Sequence, residues 1–219
     1  MKEAYLDTYK GLKVNSSKTR KLATYKVILD RIHREMSALQ SYHSRITMVR
    51  LDLHFPDGHT HDNKLENSIV SRYLRIIKAD LGSKNWGRHK RFIHGWVKEI
   101  GFSRKPHYHL FVGFQALQRT LGAISGNGNS GLWGLLESRW KELTGGSVHF
   151  SKYHRIERSN PESFAACFYH LSYLAKTRDK QFNTGESYRR FSFSSLRSKT
   201  NDTAQDALFT EPTAIQAAC

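Results

Sequence analysis

Two apolar runs joined by the short stretch "GFSRKP" constrain the fold of this chain more than any other feature. "RFIHGWVKEI" (91–100) and "HYHLFVGF" (107–114) each have the length and the β-branched or aromatic content of a strand, and so short a connection returns the second beside the first as a hairpin. Upstream, "RITMVRLDLHF" alternates. Val49, Leu51, Leu53 and Phe55 share one face, Arg50, Asp52 and His54 the other, and "PDG" ends the run. Downstream, "SVHFSKYHRI" reads as a further strand.

Helical spacing fills the intervals. From Thr19 to Tyr42, Leu22, Tyr25, Leu29, Ile32, Met36 and Leu39 recur as the apolar stripe of an amphipathic helix. Asn63 and Glu66 fit a capping box for a helix over 63–81, with Gly82 as its stop. "LWGLLESRWKEL" forms a third helix ended by Gly145, and Asn160 and Pro161 cap a fourth that runs to Arg178. This order predicts an α+β fold with a split βαβ (ferredoxin- or RRM-like) antiparallel sheet and helices packed on it. Residues 1–42 form an N-terminal extension, loose up to residue 18 and then helical. Residues 43–200 form the main domain, and 201–219 a disordered tail of Ala, Thr, Asp and Gln.

Lys and Arg total 35 against 19 Asp and Glu, a net charge of +16. The last nineteen residues hold three acids and neither Lys nor Arg, so the positive charge belongs to the main body. Such a field gathers polyanions, and nucleic acid is the commonest of these. "SKNWGRHKRF" and "SYRRFSFSSLRSK" interleave cations with aromatics, which suits a phosphate chain and stacked bases, and make Arg88, Lys90, Arg91, Arg189 and Arg190 candidate DNA contacts. No apolar leader and no run of membrane-spanning length is present, which predicts a cytoplasmic protein with no membrane partner. Two cysteines, Cys167 and Cys219, make neither a disulfide framework nor a zinc module. "GNGNSG" at 126–131 matches a dinucleotide fingerprint by letter, but no strand pattern precedes it, and a flexible loop is the expectation. "HTH" at 59–61 follows "PDG" in a polar stretch, where solvated histidines are expected.

"HYH" is different because it lies within a strand. Alternation puts His107, His109 and Phe111 on one face, and the hairpin can set Glu99 opposite His107 at about 5 Å between Cβ atoms. Two imidazoles and a carboxylate suit a divalent cation with open positions, with Asp52 as the reserve ligand. In "PESFAACFYHLSYLAKTR", Phe164, Phe168, Leu171 and Ala175 make the apolar stripe, which leaves Tyr169, Tyr173 and Lys176 on another face. Phenols beside an ammonium can act as nucleophiles. The same residues also fit an ordinary solvated face.

"PHYHLFV" followed some sixty residues later by "YHLSYLAK" resembles the HUH endonucleases, most nearly the inovirus-type and prophage rolling-circle replication initiators, over residues 45–200. The resemblance implies that His107, His109 and Glu99 hold Mg²⁺ or Mn²⁺. Tyr173, in its Tyr-x-x-Lys frame, would attack a single-stranded DNA phosphate at a replication origin, with Lys176 offsetting negative charge. Tyr169 fits the two-tyrosine pattern of some relatives and equally fits packing. The products would be a 5′-phosphotyrosine and a free 3′-hydroxyl, and with no P-loop in the chain, unwinding and extension fall to a host helicase and polymerase in a bacterial cell. A transposase or relaxase uses the same chemistry. A non-catalytic RRM-like nucleic-acid module is the rival from another class, and it needs aromatics on an open sheet face.

Overall fold

The computed structural model describes residues 3–17, 19, 21–100, 105–117, 121–126, 128–177, 180 and 188–199. The expected tail at 201–219 lies outside the described residues.

The N-terminal stretch is not loose. β1 (Glu3–Ala4) pairs with β4 (Thr24–Tyr25), and β2 (Thr8–Tyr9) pairs with β3 (Leu12–Lys13) across a turn in which Lys10 and Gly11 both have positive φ. Tyr9 and Val14 are buried in the core. The helix expected from Thr19 therefore starts later, as α1 (Lys26–Tyr42). Thr24 and Tyr25 are held extended by β1. Thr24 Oγ1 donates to the Ala4 carbonyl at 3.1 Å, and Tyr25 Oη donates to Glu3 at 3.0 Å, tertiary partners that a helical pattern does not reveal.

The main sheet consists of β5 (Arg45–His54), β6 (Phe92–Ile100), β7 (Pro106–Gln115), β8 (Ser147–Glu157) and β9 (Phe191–Phe193), in the order β8-β5-β7-β6-β9 with every neighbouring pair antiparallel. Its apolar positions divide by alternation. Val49, Leu51, Trp96, Tyr108 and Leu110 pack against α2 (Asn63–Gly82) and α3 (Gly131–Thr144). Met48, Val97 and Phe111 pack against α1 and α4 (Pro161–Leu171). The chain is thus an α+β fold with an antiparallel sheet covered on both faces.

Two helix ends differ from expectation. The N-cap of α2 is Asp62, whose side chain accepts from Lys64 N and Leu65 N at 2.9 Å each, while Glu66 reaches back to Asp62 N at 3.3 Å. The cap is therefore Asp62, one residue before the expected Asn63, while Glu66 makes the expected back-contact from four residues on. The fourth helix begins as expected, with Asn160 accepting from Glu162 N and Ser163 N ahead of Pro161. It leaves α geometry at Leu171 and ends in a 3-10 turn, Ser172–Ala175.

In β8 the ladder to β5 is interrupted. Val49 pairs with Tyr153 and Leu51 with Phe150, so Arg50 alone spans Ser151 and Lys152, a bulge of two residues against one.

The turn into β8 is tightly packed. A Cβ on Gly146 would lie 2.1 Å from the His54 carbonyl oxygen and 2.9 Å from Trp140 Nε1, a nitrogen that itself donates to that carbonyl at 2.9 Å. Backbone and an indole cannot swing aside. Gly146→Ala is expected to destabilise the fold by about 2 kcal/mol, which lowers Tm by roughly 4–8 °C in a domain of this size. Thermal unfolding by circular dichroism checks this, and an unchanged Tm would mean that the turn relaxes freely.

Candidate metal centre and tyrosine

The hairpin sets the register on which the site depends. Glu99 pairs with His107 and Val97 with His109 across β6 and β7, while Asp52 pairs with His109 and His54 with His107 across β5 and β7. All five polar side chains therefore emerge on the α1/α4 face. The ligand atoms of Glu99, His107 and His109 lie within 4.8 Å of one another, a group able to hold a metal ion.

Within the group, His109 is the hinge. Its Nε2 lies 2.8 Å from Glu99 Oε2, and its Nδ1 lies 2.7 Å from Asp52 Oδ1. Asp52, expected as a reserve ligand, instead occupies the far nitrogen, where it fixes the ring and its tautomer. His107 is half-buried, 3.6 Å from Glu99 Oε2, and stacked on His54 with ring centroids 5.6 Å apart. Lys180, fully buried at its side chain, binds the other Glu99 oxygen, Oε1. Glu99 can therefore offer a cation one oxygen, Oε2.

The electrostatics follow from these contacts. Burial pushes the Glu99 carboxyl up, but the two histidines and the Lys180 charge outweigh it and hold the group well below the usual carboxylate range. For Asp52 burial again acts upward and loses, to the His109 hydrogen bond and to the charges of His109 and Arg50. Burial pulls the His109 imidazole down, yet hydrogen bonds to Asp52 and Glu99 leave it raised.

The 3-10 turn after α4 carries Tyr173 to this face. Its ring lies edge-on to His109, with centroids 5.4 Å apart. The Arg50 guanidinium stands 4.2 Å and Lys176 Nζ 4.0 Å from the ring centre. The N-terminal segment holds the turn in place. Asn15 N donates to Ser172 Oγ at 2.8 Å, Thr177 N donates to the Ala23 carbonyl at 2.9 Å, and Thr24 bridges to Lys176.

Tyr169 is not brought in with Tyr173. It is 45% exposed on α4. Its offset from Tyr173 is stretched because residues in the 3-10 turn advance by about 120° rather than the α-helical 100°. The other expected residues divide. Arg88, Lys90 and Arg91 precede β6 at Phe92, seven residues or about 23 Å from Glu99. Arg91 packs on the Tyr42 ring at 3.8 Å. Arg189 and Arg190 flank the opposite end of β6, where the Arg190 carbonyl accepts from Lys98 N at 2.8 Å.

Two features of the site, and one on the opposite face of the sheet, went unread in the sequence. Arg50 lies on the polar face of β5 already recognised by alternation, so its signal was present. Lys180 lies beyond the helix in a stretch without periodicity, and nothing in the sequence links it to Glu99. The "HTH" histidines are not merely solvated, since His59 Nε2 and His61 Nδ1 lie 3.2 and 2.8 Å from the same oxygen of buried Glu66. Glu66 also pairs with buried Lys98 on the face opposite the triad.

A family profile described as the YagK/YfjJ C-terminal domain matches residues 6–194. The chain is 26% identical over 186 residues to a protein of Escherichia coli (strain K12) named "Uncharacterized protein YfjJ", an alignment that covers 72% of this chain and 89% of that protein. No solved structure gives a significant match. No helix among the described residues is long and apolar enough to cross a membrane. The chain belongs to the YagK/YfjJ C-terminal domain family.

Proposed function

We propose that this YagK/YfjJ-family chain nicks and rejoins single-stranded DNA at a replication origin through a 5′-phosphotyrosine, as an HUH-type initiator of rolling-circle replication of a phage or plasmid. The observation that carries the reading is the Tyr173 ring edge-on against His109, one of three side chains able to hold a divalent cation, with Arg50 and Lys176 beside the phenol. The strand order β8-β5-β7-β6 around two helices on one face also supports a split βαβ, ferredoxin-like architecture.

Glu99 Oε2 and the imidazoles of His107 and His109 would hold Mg²⁺ or Mn²⁺, since mixed N and O donors with one carboxylate oxygen suit such ions. A bound divalent cation supplies charge stabilisation to a phosphate oxygen. The remaining steps belong to the chain. Asp52 keeps His109 oriented through Nδ1. Tyr173 Oη attacks phosphorus, forms the Oη–P bond, and gives up its proton to solvent. The P–O3′ bond breaks, and the 3′-oxygen leaves and takes a proton from water. Arg50 and Lys176 offset the negative charge that builds on the phenol and the phosphate. Attack by the 3′-hydroxyl reverses the sequence and rejoins the strand.

An RRM-like binding module needs an open sheet face for stacked bases. Here α1 and α4 pack on one face and α2 and α3 on the other, which disfavours that reading. A transposase or relaxase would share the chemistry and differ in its DNA. The test uses 5′- and 3′-labelled single-stranded DNA from the chain's own replicon, with Mn²⁺ or with EDTA. A protein-linked, metal-dependent product is the expected result. Tight binding with no adduct under either condition would overturn the enzyme reading.

A further inference from the structure

The α2 C-terminus and the 3-10 segment Lys84–Trp86 border a shallow, open surface cleft of about 580 Å³ lined by Arg75, Lys78, Lys84, Arg88 and Lys90, with His89 beside them and no carboxylate among its lining residues. The nearest acid in sequence on α2, Asp80, is turned to Arg139, whose Nε donates to it at 2.9 Å. Five cations therefore converge with no anion of the cleft's own to offset their repulsion.

A second observation, independent of charge, points to the same place. Arg88 holds φ +56° directly after Gly87 at φ +96°. The left-handed region costs a side-chain-bearing residue about 1 kcal/mol, and a glycine or asparagine would avoid most of that. The conformation ties down the segment through Arg88 N to the Ser83 carbonyl at 2.9 Å and His89 N to the Leu81 carbonyl at 3.0 Å. It also leaves the Arg88 side chain lining the cleft. His89 is buried against Phe114, so the segment has a fixed floor.

We infer that this cleft is a binding site for the phosphate backbone of nucleic acid, separate from the Tyr173 site. Phe92, where β6 emerges from this segment, is about 23 Å along the strand from Glu99. The cleft would grip DNA well to one side of the reacting phosphate, and its role does not depend on tyrosine chemistry.

The test is fluorescence anisotropy of the full chain with two probes, a mixed-sequence single strand and the same strand carrying a duplex arm, across a salt series. Lys78 and Arg88 are exposed, so the double variant Lys78→Glu, Arg88→Glu is expected to keep the wild-type Tm. Affinity should fall about tenfold or more, and the slope of log K against log salt should shrink by about two. A loss confined to the armed probe assigns the cleft to duplex, and a loss on both assigns it to a single strand. Unchanged affinity and slope on both probes would overturn the site. Because the readout is binding, it is distinguishable from a failure of the adduct assay.

Discussion

Tyr173→Phe is expected to abolish the covalent DNA adduct, by about 10³-fold or more, while single-strand affinity and Tm stay near wild type. Only Oη is removed. The ring keeps its edge on His109 and its contacts with Arg50 and Lys176, so neither packing nor surface charge changes. Adduct yield is read on denaturing gels with labelled DNA in Mn²⁺, beside Tyr169→Phe. An adduct that persists in Tyr173→Phe and vanishes in Tyr169→Phe would move the nucleophile one turn back, to the exposed position on α4.

The second large effect separates the two histidines. His107 is half-buried and 3.6 Å from Glu99, so His107→Ala should lose metal-dependent cleavage, and divalent-ion affinity by about a hundredfold or more, with little change in Tm. His109 is buried between Asp52 and Glu99 at 2.7 and 2.8 Å. His109→Ala leaves two carboxylates in a buried site with one partner fewer each, which costs about 3–5 kcal/mol. That variant should lose cleavage and stability together. Calorimetric titration with Mn²⁺ and thermal unfolding read both quantities. Wild-type Mn²⁺ affinity in His107→Ala would remove that imidazole from the proposed ligand set.

The parts of this protein that were legible in its sequence are those fixed by local alternation and capping. His107 opposite Glu99 and the Asn160–Pro161 helix start follow from period-2 and N-cap chemistry within a few residues of chain. The displaced start of α1 does not, because Thr24 and Tyr25 obey a helical pattern while their partners, Ala4 and Glu3, lie some twenty residues away. Lys180 escaped for the same reason, its carboxylate partner being 81 positions earlier. Tyr173 was singled out by spacing, but its delivery by a 3-10 turn, pinned by Asn15 and Ala23, depends on contacts across more than 150 residues.

The bulge opposite Arg50 makes the length of β8 a matter of odd and even. Ahead of it, His149 shares a face with Asp52, and Phe150 meets Trp133 on the other. Beyond it the assignment is inverted relative to an unbroken strand. Tyr153 still reaches Trp133, and His154 still meets His170 of α4 at 3.0 Å. An unbroken ladder keeping every residue of β8 would exchange the phenol and imidazole at 153 and 154 across the sheet, whereas excising Lys152 would leave Tyr153 opposite Val49 and His154 opposite Met48. One surplus residue thus acts as a phase correction, letting the same strand serve the aromatic layer and the histidine layer at both of its ends.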